Sequence, residues 1–244
     1  EQYHTVSVPT RVLRFNRGEM RVLFDTDVRI EAYTKKSKHV GLLQSLAVLC
    51  RKGKVEPYYT EESEVEEIRD RYWQRPYGHV DLFENIKFEL ALPPFRRSKW
   101  GLDGEEQFGP FPVVDSQGRK EKLPKRERNK YVIEFCQILL GLSSERVESF
   151  IAGMQRNPVY HLSTFEEKSL RNLQTFRTIC HHLDPVHFPD AFHLWTAEEN
   201  KLDVFLTFDI TFRNATKRNV DGLHCQMLTP QELVADIPTS LNQG

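Results

Sequence analysis

Three acids in this chain stand where an apolar run begins or ends. Arg21-Val22-Leu23-Phe24 leads straight into Asp25-Thr26-Asp27-Val28. Asp190 opens Asp190-Ala191-Phe192-His193-Leu194-Trp195-Thr196-Ala197, and Leu206-Thr207-Phe208 ends at Asp209. Two short strands each ending in an acid, with a third acid opening a helix, suggest one cluster of negative charge. Carboxylate oxygens are the donors that hard divalent cations take, so the chemistry indicated is the holding of a metal ion. Each acid has a competing structural role, because an Asp at a strand end or helix head also serves as a cap or turn former.

The elements that must position these acids alternate along the chain. Met20 to Phe24 reads as a buried strand. A helix follows from Ser37 to Lys52, with Val40, Leu43, Leu46, Ala47 and Cys50 at helical spacing. Val55 to Tyr59 is a second strand. An acid-rich helix then runs from about Ser63 to Trp73, with Val65, Ile68 and Tyr72 on one face. Strand, helix, strand, helix predicts a parallel sheet covered on both sides. From Asp81 to about Lys130 the composition shifts. Phe88 to Leu92 offers one more strand, after which Pro93, Pro94, Pro110, Pro112, Gly118 and Pro124 punctuate a basic-rich stretch that reads as an insertion. Helices resume at Tyr131 to Leu142, Ser144 to Met154 and Thr164 to Leu183. Near the end, Met227-Leu228-Thr229-Pro230 reads as a strand end capped by Thr229, with Pro230 opening a last helix.

Composition sets the outer limits. A chain of 244 residues can bury a substantial core, as one enlarged domain or as a domain carrying a large insertion. Its 34 basic and 35 acidic residues leave a formal charge of -1, which excludes a uniformly basic nucleic-acid binder but leaves room for local basic surface. Four scattered cysteines, with no Cys-x-x-Cys pair, favour a reducing compartment. No apolar run reaches the roughly 20 residues of a membrane helix, and the first residues lack the order of a signal peptide. A soluble, cytoplasmic protein is expected, and because the chain opens on Glu1 a longer natural start is expected too.

With these residues in place, the chain resembles the PIN-domain nucleases. Phe24-Asp25-Thr26-Asp27-Val28 is similar to their opening strand and acid, Thr60 to Ile68 to their Glu-bearing helix, and Asp190 to Phe212 to their third and fourth acidic motifs. The similarity is closest to the small bacterial kind, where an Asp-Ala-x-His-Leu-x-x-Ala helix precedes a Leu-Thr-x-Asp-x-x-Phe strand end. It covers core segments of about 18–75 and 184–236 in a single PIN-like domain, and leaves an insertion of about 81–180 carrying extra helices. The resemblance implies a three-layer α/β/α fold with a central parallel sheet. It implies a site of Asp25, Glu67, Asp190 and Asp209 holding Mg2+ or Mn2+, and hydrolysis of phosphodiester bonds in RNA. Asp27 departs from the family, which more often has Asn there. Glu67 fits the family spelling, but Glu64 lies closer to the apolar face of Val65, Ile68 and Tyr72, and Glu66 is a third candidate. Lys35, Lys36, Lys38, Arg213, Lys217, Arg218 and the basic insertion are candidates for steering an RNA strand. A protein inhibitor and a homodimer are further expectations from the family.

Other readings compete. Asp25-Thr26-Asp27 at a strand end also resembles phosphatases of the haloacid-dehalogenase type, but Val28-Arg29-Ile30 stands where they have Gly-Thr. His181, His182, His187 and His193 fall close together without any standard zinc spacing, and His193 and Trp195 read as core residues. A non-catalytic PIN-like scaffold, binding RNA or a protein through the insertion, is the alternative outside enzymology.

Overall fold

The computed structural model describes residues 19–34, 37–63, 81–96, 125–156 and 161–237. Strand β1 (Met20–Phe24) shows how the layers arise. Successive side chains of a strand point to opposite faces. Met20, Val22 and Phe24 therefore enter one hydrophobic core and Leu23 the other. β2 (Val55–Tyr59), β3 (Glu89–Leu90), β4 (Val204–Leu206) and β5 (Gln226–Leu228) complete a sheet in the order β3-β2-β1-β4-β5, with every pairing parallel. β4 divides like β1, sending Val204 and Leu206 to one core and Phe205 to the other. Such near-continuous apolar strands are what a sheet buried on both faces requires.

Helices cover both faces, giving the expected three-layer α/β/α architecture. On one side lie α1 (Thr26–Ala32) and α2 (Val40–Arg51), whose Val28, Leu43, Leu46 and Ala47 pack on Met20, Val22 and Phe24. The central stretch supplies α3 (Lys125–Arg128), α4 (Lys130–Gly141), α5 (Ser144–Gln155), α6 (Thr164–Arg171) and α7 (Leu173–Cys180). Then come α8 (Phe188–Glu199), α9 (Ile210–Thr216) and α10 (Pro230–Asp236), whose Leu233 joins the α2 side. On the opposite face α8 is almost wholly buried between the sheet and α4 and α7. Its Trp195 stacks on Phe176 at 4.9 Å, and Phe192 meets Phe135 edge-on at 5.7 Å. The stretch read as an insertion thus contributes both an edge strand and part of a shared core.

Several elements differ from the sequence expectation. A helical turn is present at 61–63, whereas residues 64–73 of the expected acid-rich helix lie outside the described residues, as does 97–124 of the basic stretch. α1 is an unforeseen helix, only seven residues long, started by the Asp25 cap. The strand expected over Phe88 to Leu92 is reduced to Glu89–Leu90, extended by the Ala91 amide bonding Tyr59 O at 2.8 Å. The single helix expected from Thr164 to Leu183 is two. They part at Asn172, whose side chain donates to Glu199 Oε1 at 2.5 Å, so the break is fastened to α8. Asp190 does not cap α8, which starts at Phe188 and carries Asp190 in its first turn.

The C-terminal cap matches the expectation and gains a second bond. Thr229 Oγ1 accepts the Glu232 amide at 3.3 Å while Glu232 Oε2 accepts the Thr229 amide at 2.8 Å, a reciprocal capping box. Thr229→Ala is expected to lower unfolding free energy by about 1 kcal/mol. Urea denaturation measures it, and an unchanged midpoint at unchanged slope would show that the cap contributes nothing.

Candidate functional site

An open parallel sheet offers a crevice at the carboxyl ends of its strands, where the chain order switches sides. Here that point lies between β1 and β4, since β2 and β3 extend from one side of β1 while β4 and β5 extend from the other. Phe24 pairs with Leu206, and the Asp25 amide donates to Leu206 O at 2.9 Å. This register sets Asp25 beside Thr207 although 182 positions separate them.

The Thr207 hydroxyl joins the acids. It is fully buried and donates to Asp25 Oδ2 at 2.7 Å, stands 3.3 Å from Asp27 Oδ2, and accepts the Asp209 amide at 3.0 Å. Asp25 Oδ1 also accepts the Thr26 amide at 2.8 Å, and Asp209 Oδ1 accepts the Phe212 amide at 2.8 Å. Capping and clustering are therefore not alternatives for these two residues. One cap bond each fixes the carboxylate that the cluster uses.

Asp190 completes a compact group with Asp209 and His187. One ligand atom from each of these three residues lies within 4.8 Å of the other two. His187 ends the short 3-10 turn Pro185–His187, and its Nδ1 is 3.7 Å from Asp190 Oδ2. Against the four acids read from the sequence, the structure brings Asp25, Asp190 and Asp209 to one edge of the sheet. Glu67, with Glu64 and Glu66, lies outside the described residues. The helical turn at 61–63 that precedes them in the chain is fastened to α8. Thr60, after β2, shares a 2.9 Å hydrogen bond with Nδ1 of buried His193 on α8, and its hydroxyl lies 2.7 Å from that of Ser63. His193 and Trp195 are core residues, as expected.

In the sequence His187 stands out only as one of four neighbouring histidines without zinc spacing. Its spacing of three from Asp190 puts the two on one side of a helical turn, but nothing local signals Asp209 nearby.

Burial, then the negative charge of Asp25, pushes the Asp27 carboxyl well above the usual carboxylate range. The Phe208 amide, 2.9 Å from Asp27 Oδ2, acts the other way, and Asp190 and Asp209 raise it further. Asp27 Oδ1 is enclosed and has no hydrogen-bond partner. Closely packed like charges destabilise a metal-free fold, and a bound cation relieves them. The group fits a divalent ion on these grounds: Asp190 and Asp209 bring negatively charged oxygen donors within 4.8 Å of each other, and in the same network Asp27 holds an enclosed carboxylate oxygen unsatisfied by the protein.

Of the cations proposed to steer a strand, Arg213 is tied to Glu232 at 2.8 Å, Lys38, Lys217 and Arg218 are exposed, and Lys35 and Lys36 lie outside the described residues. Among the described residues no helix is long and apolar enough to cross a membrane. No protein-family model, curated protein or solved structure matches this chain.

Two outcomes are expected in EDTA. Because the Asp27 carboxyl titrates higher in the folded state than in the unfolded one, its contribution to stability is complete below the unfolded value. It is lost as pH rises through the folded value. Asp27→Asn should therefore raise the melting temperature of the metal-free protein near neutral pH and flatten its decline with pH; a lower melting temperature at neutral pH would contradict this. Thr207→Val keeps the shape but removes the donor to buried Asp25, and is expected to cost about 1–3 kcal/mol by urea denaturation.

Proposed function

We propose that this protein is a metal-dependent endoribonuclease of the PIN type, with its active centre at the carboxyl edge between β1 and β4. The observation that carries this reading is the convergence of Asp25, Asp190 and Asp209 there, from three separated parts of the chain, around the Thr207 hydroxyl and His187. Structural caps need no such convergence, because a cap works within its own turn. The four-acid set inferred from the resemblance adds Glu67 to these three.

In this reading Asp190 and Asp209 hold a divalent ion, Mg2+ or Mn2+, with Asp25 beside them and Asp27 adding charge. The chemistry that such an ion supplies when bound is Lewis acidity toward a phosphodiester and compensation of the charge that develops at phosphorus. The chain's own part is placement. Thr207 and the Thr26 amide fix both oxygens of Asp25, and the Phe212 amide fixes one oxygen of Asp209, so the acids need little reorganisation when a substrate arrives. The enclosed position of Asp25 lowers the local dielectric and strengthens each electrostatic interaction. Exposed Lys38, Lys217 and Arg218 are the described cations available to offset the repulsion between these carboxylates and an RNA backbone. RNA is favoured over DNA on the resemblance to small PIN-domain ribonucleases.

The test is cleavage of a labelled single-stranded RNA in Mn2+, Mg2+ or EDTA, beside Asp25→Asn and Asp209→Asn proteins checked for folding by their melting curves. Cleavage is expected only with metal and is expected to fall by at least about 100-fold in either variant. A folded wild type that cuts neither RNA nor DNA would overturn the nuclease reading and favour a binding scaffold.

A further inference from the structure

We infer that His187 Nδ1 is itself a metal ligand, so that the centre is a mixed nitrogen and oxygen site that favours a first-row transition ion such as Mn2+ over Mg2+. This rests on reading the carboxylate cluster as a metal site, and it adds a residue outside the four-acid set.

Three observations converge on the imidazole. First, Nδ1 is enclosed and has no hydrogen-bond partner, an arrangement that costs stability unless something occupies the gap. Asp190 Oδ2 is 3.7 Å away, too far for a hydrogen bond and with the side chains of both residues only 13% exposed. Two donors that each stand about 2.1 Å from one ion are separated by roughly 3 to 4 Å, according to the angle between them. The 3.7 Å spacing suits an ion between the groups better than it suits direct contact.

Second, the ring is held in place before any ion arrives. Pro185 and Pro189 bracket the turn, the His187 amide donates to Asp184 O at 2.9 Å, and Asp184 Oδ1 accepts the Val186 amide at 2.9 Å. The ring packs 5.9 Å from Phe212, the residue whose amide fixes Asp209. One aromatic side chain and its own backbone thus orient the imidazole and the second carboxylate together. Third, the enclosed Asp27 Oδ1 is a second atom without a hydrogen-bond partner, on a carboxylate whose other oxygen stands 3.3 Å from the Thr207 hydroxyl that binds Asp25.

An imidazole nitrogen changes the choice of ion. Mg2+ keeps to oxygen donors and dehydrates reluctantly, whereas first-row transition ions accept nitrogen readily. Asp190 and Asp209 alone would not make that distinction; His187 does.

The experiment titrates the metal-free protein with Mn2+ and follows bound ion by electron paramagnetic resonance. Pulsed modulation spectra of the wild-type complex report any directly bound 14N, and competition by Mg2+ gives the affinity ratio. Asp209→Asn serves as the control that locates the ion. His187→Phe keeps a ring against Phe212 and removes the nitrogen, and its folding is checked by the metal-free melting curve. The expected result is a 14N modulation in the wild type that vanishes in His187→Phe. Mn2+ affinity should drop by at least about ten-fold and the Mn2+ over Mg2+ preference should narrow with it. Mn2+ bound with no 14N modulation, and bound equally well by His187→Phe, overturns the role of His187 while leaving the carboxylate centre standing. No Mn2+ binding by the wild type, or binding unaffected by Asp209→Asn, overturns the centre itself.

Discussion

The register between β1 and β4 governs the carboxyl edge of this sheet. Because Phe24 lies opposite Leu206, the next residue on each strand enters the same crevice, and the Asp25 amide completes the ladder by bonding Leu206 O. A slip of one residue would turn Met20, Val22 and Phe24 out of one core and drive Leu23 into it. The hydrophobic alternation that fixes the two cores therefore also fixes where Asp25, Thr207 and Asp209 meet. The site inherits its precision from packing.

Thr207 shows how little polar material then suffices. Its single hydroxyl is donor to one acid and acceptor from the backbone of another, and it is wholly removed from water. In such surroundings a satisfied network is rigid and an unsatisfied group is costly. The network fixes the strand-end acids but leaves Asp27 Oδ1 and His187 Nδ1 without hydrogen-bond partners. Burial first, and then the negative charge held there, raise the Asp27 carboxyl, and both oppose folding with that group ionised. What offsets it is the large core built by α8 against α4 and α7, with Trp195, Phe176, Phe192 and Phe135 interleaved. The central stretch of the chain, whatever else it does, supplies part of the packing that makes a strained polar edge tolerable.

The alternation of apolar residues in β1, the helical spacing in α2 and the Thr229-Pro230 cap were legible because each depends on residues a few positions apart. The parallel sheet followed from the order of elements, and the strand-end positions of Asp25 and Asp209 marked them as site candidates. Three things were not legible for one shared reason. The break at Asn172 depends on Glu199, the placement of Asp190 depends on where α8 starts, and the proximity of His187 to Asp209 depends on β4 taking its place beside β1.

By itself, then, the sequence determined the periodicities, the caps and the acids that end the strands, all of which are local properties of a chain with fixed dihedral preferences. Only the tertiary structure decided which of those acids share a space, that a histidine joins them and that Asp27 is pressed against its neighbours. The reason is that proximity across a sheet is set by strand order, and a parallel order is established by crossovers whose length and packing no short window of residues contains.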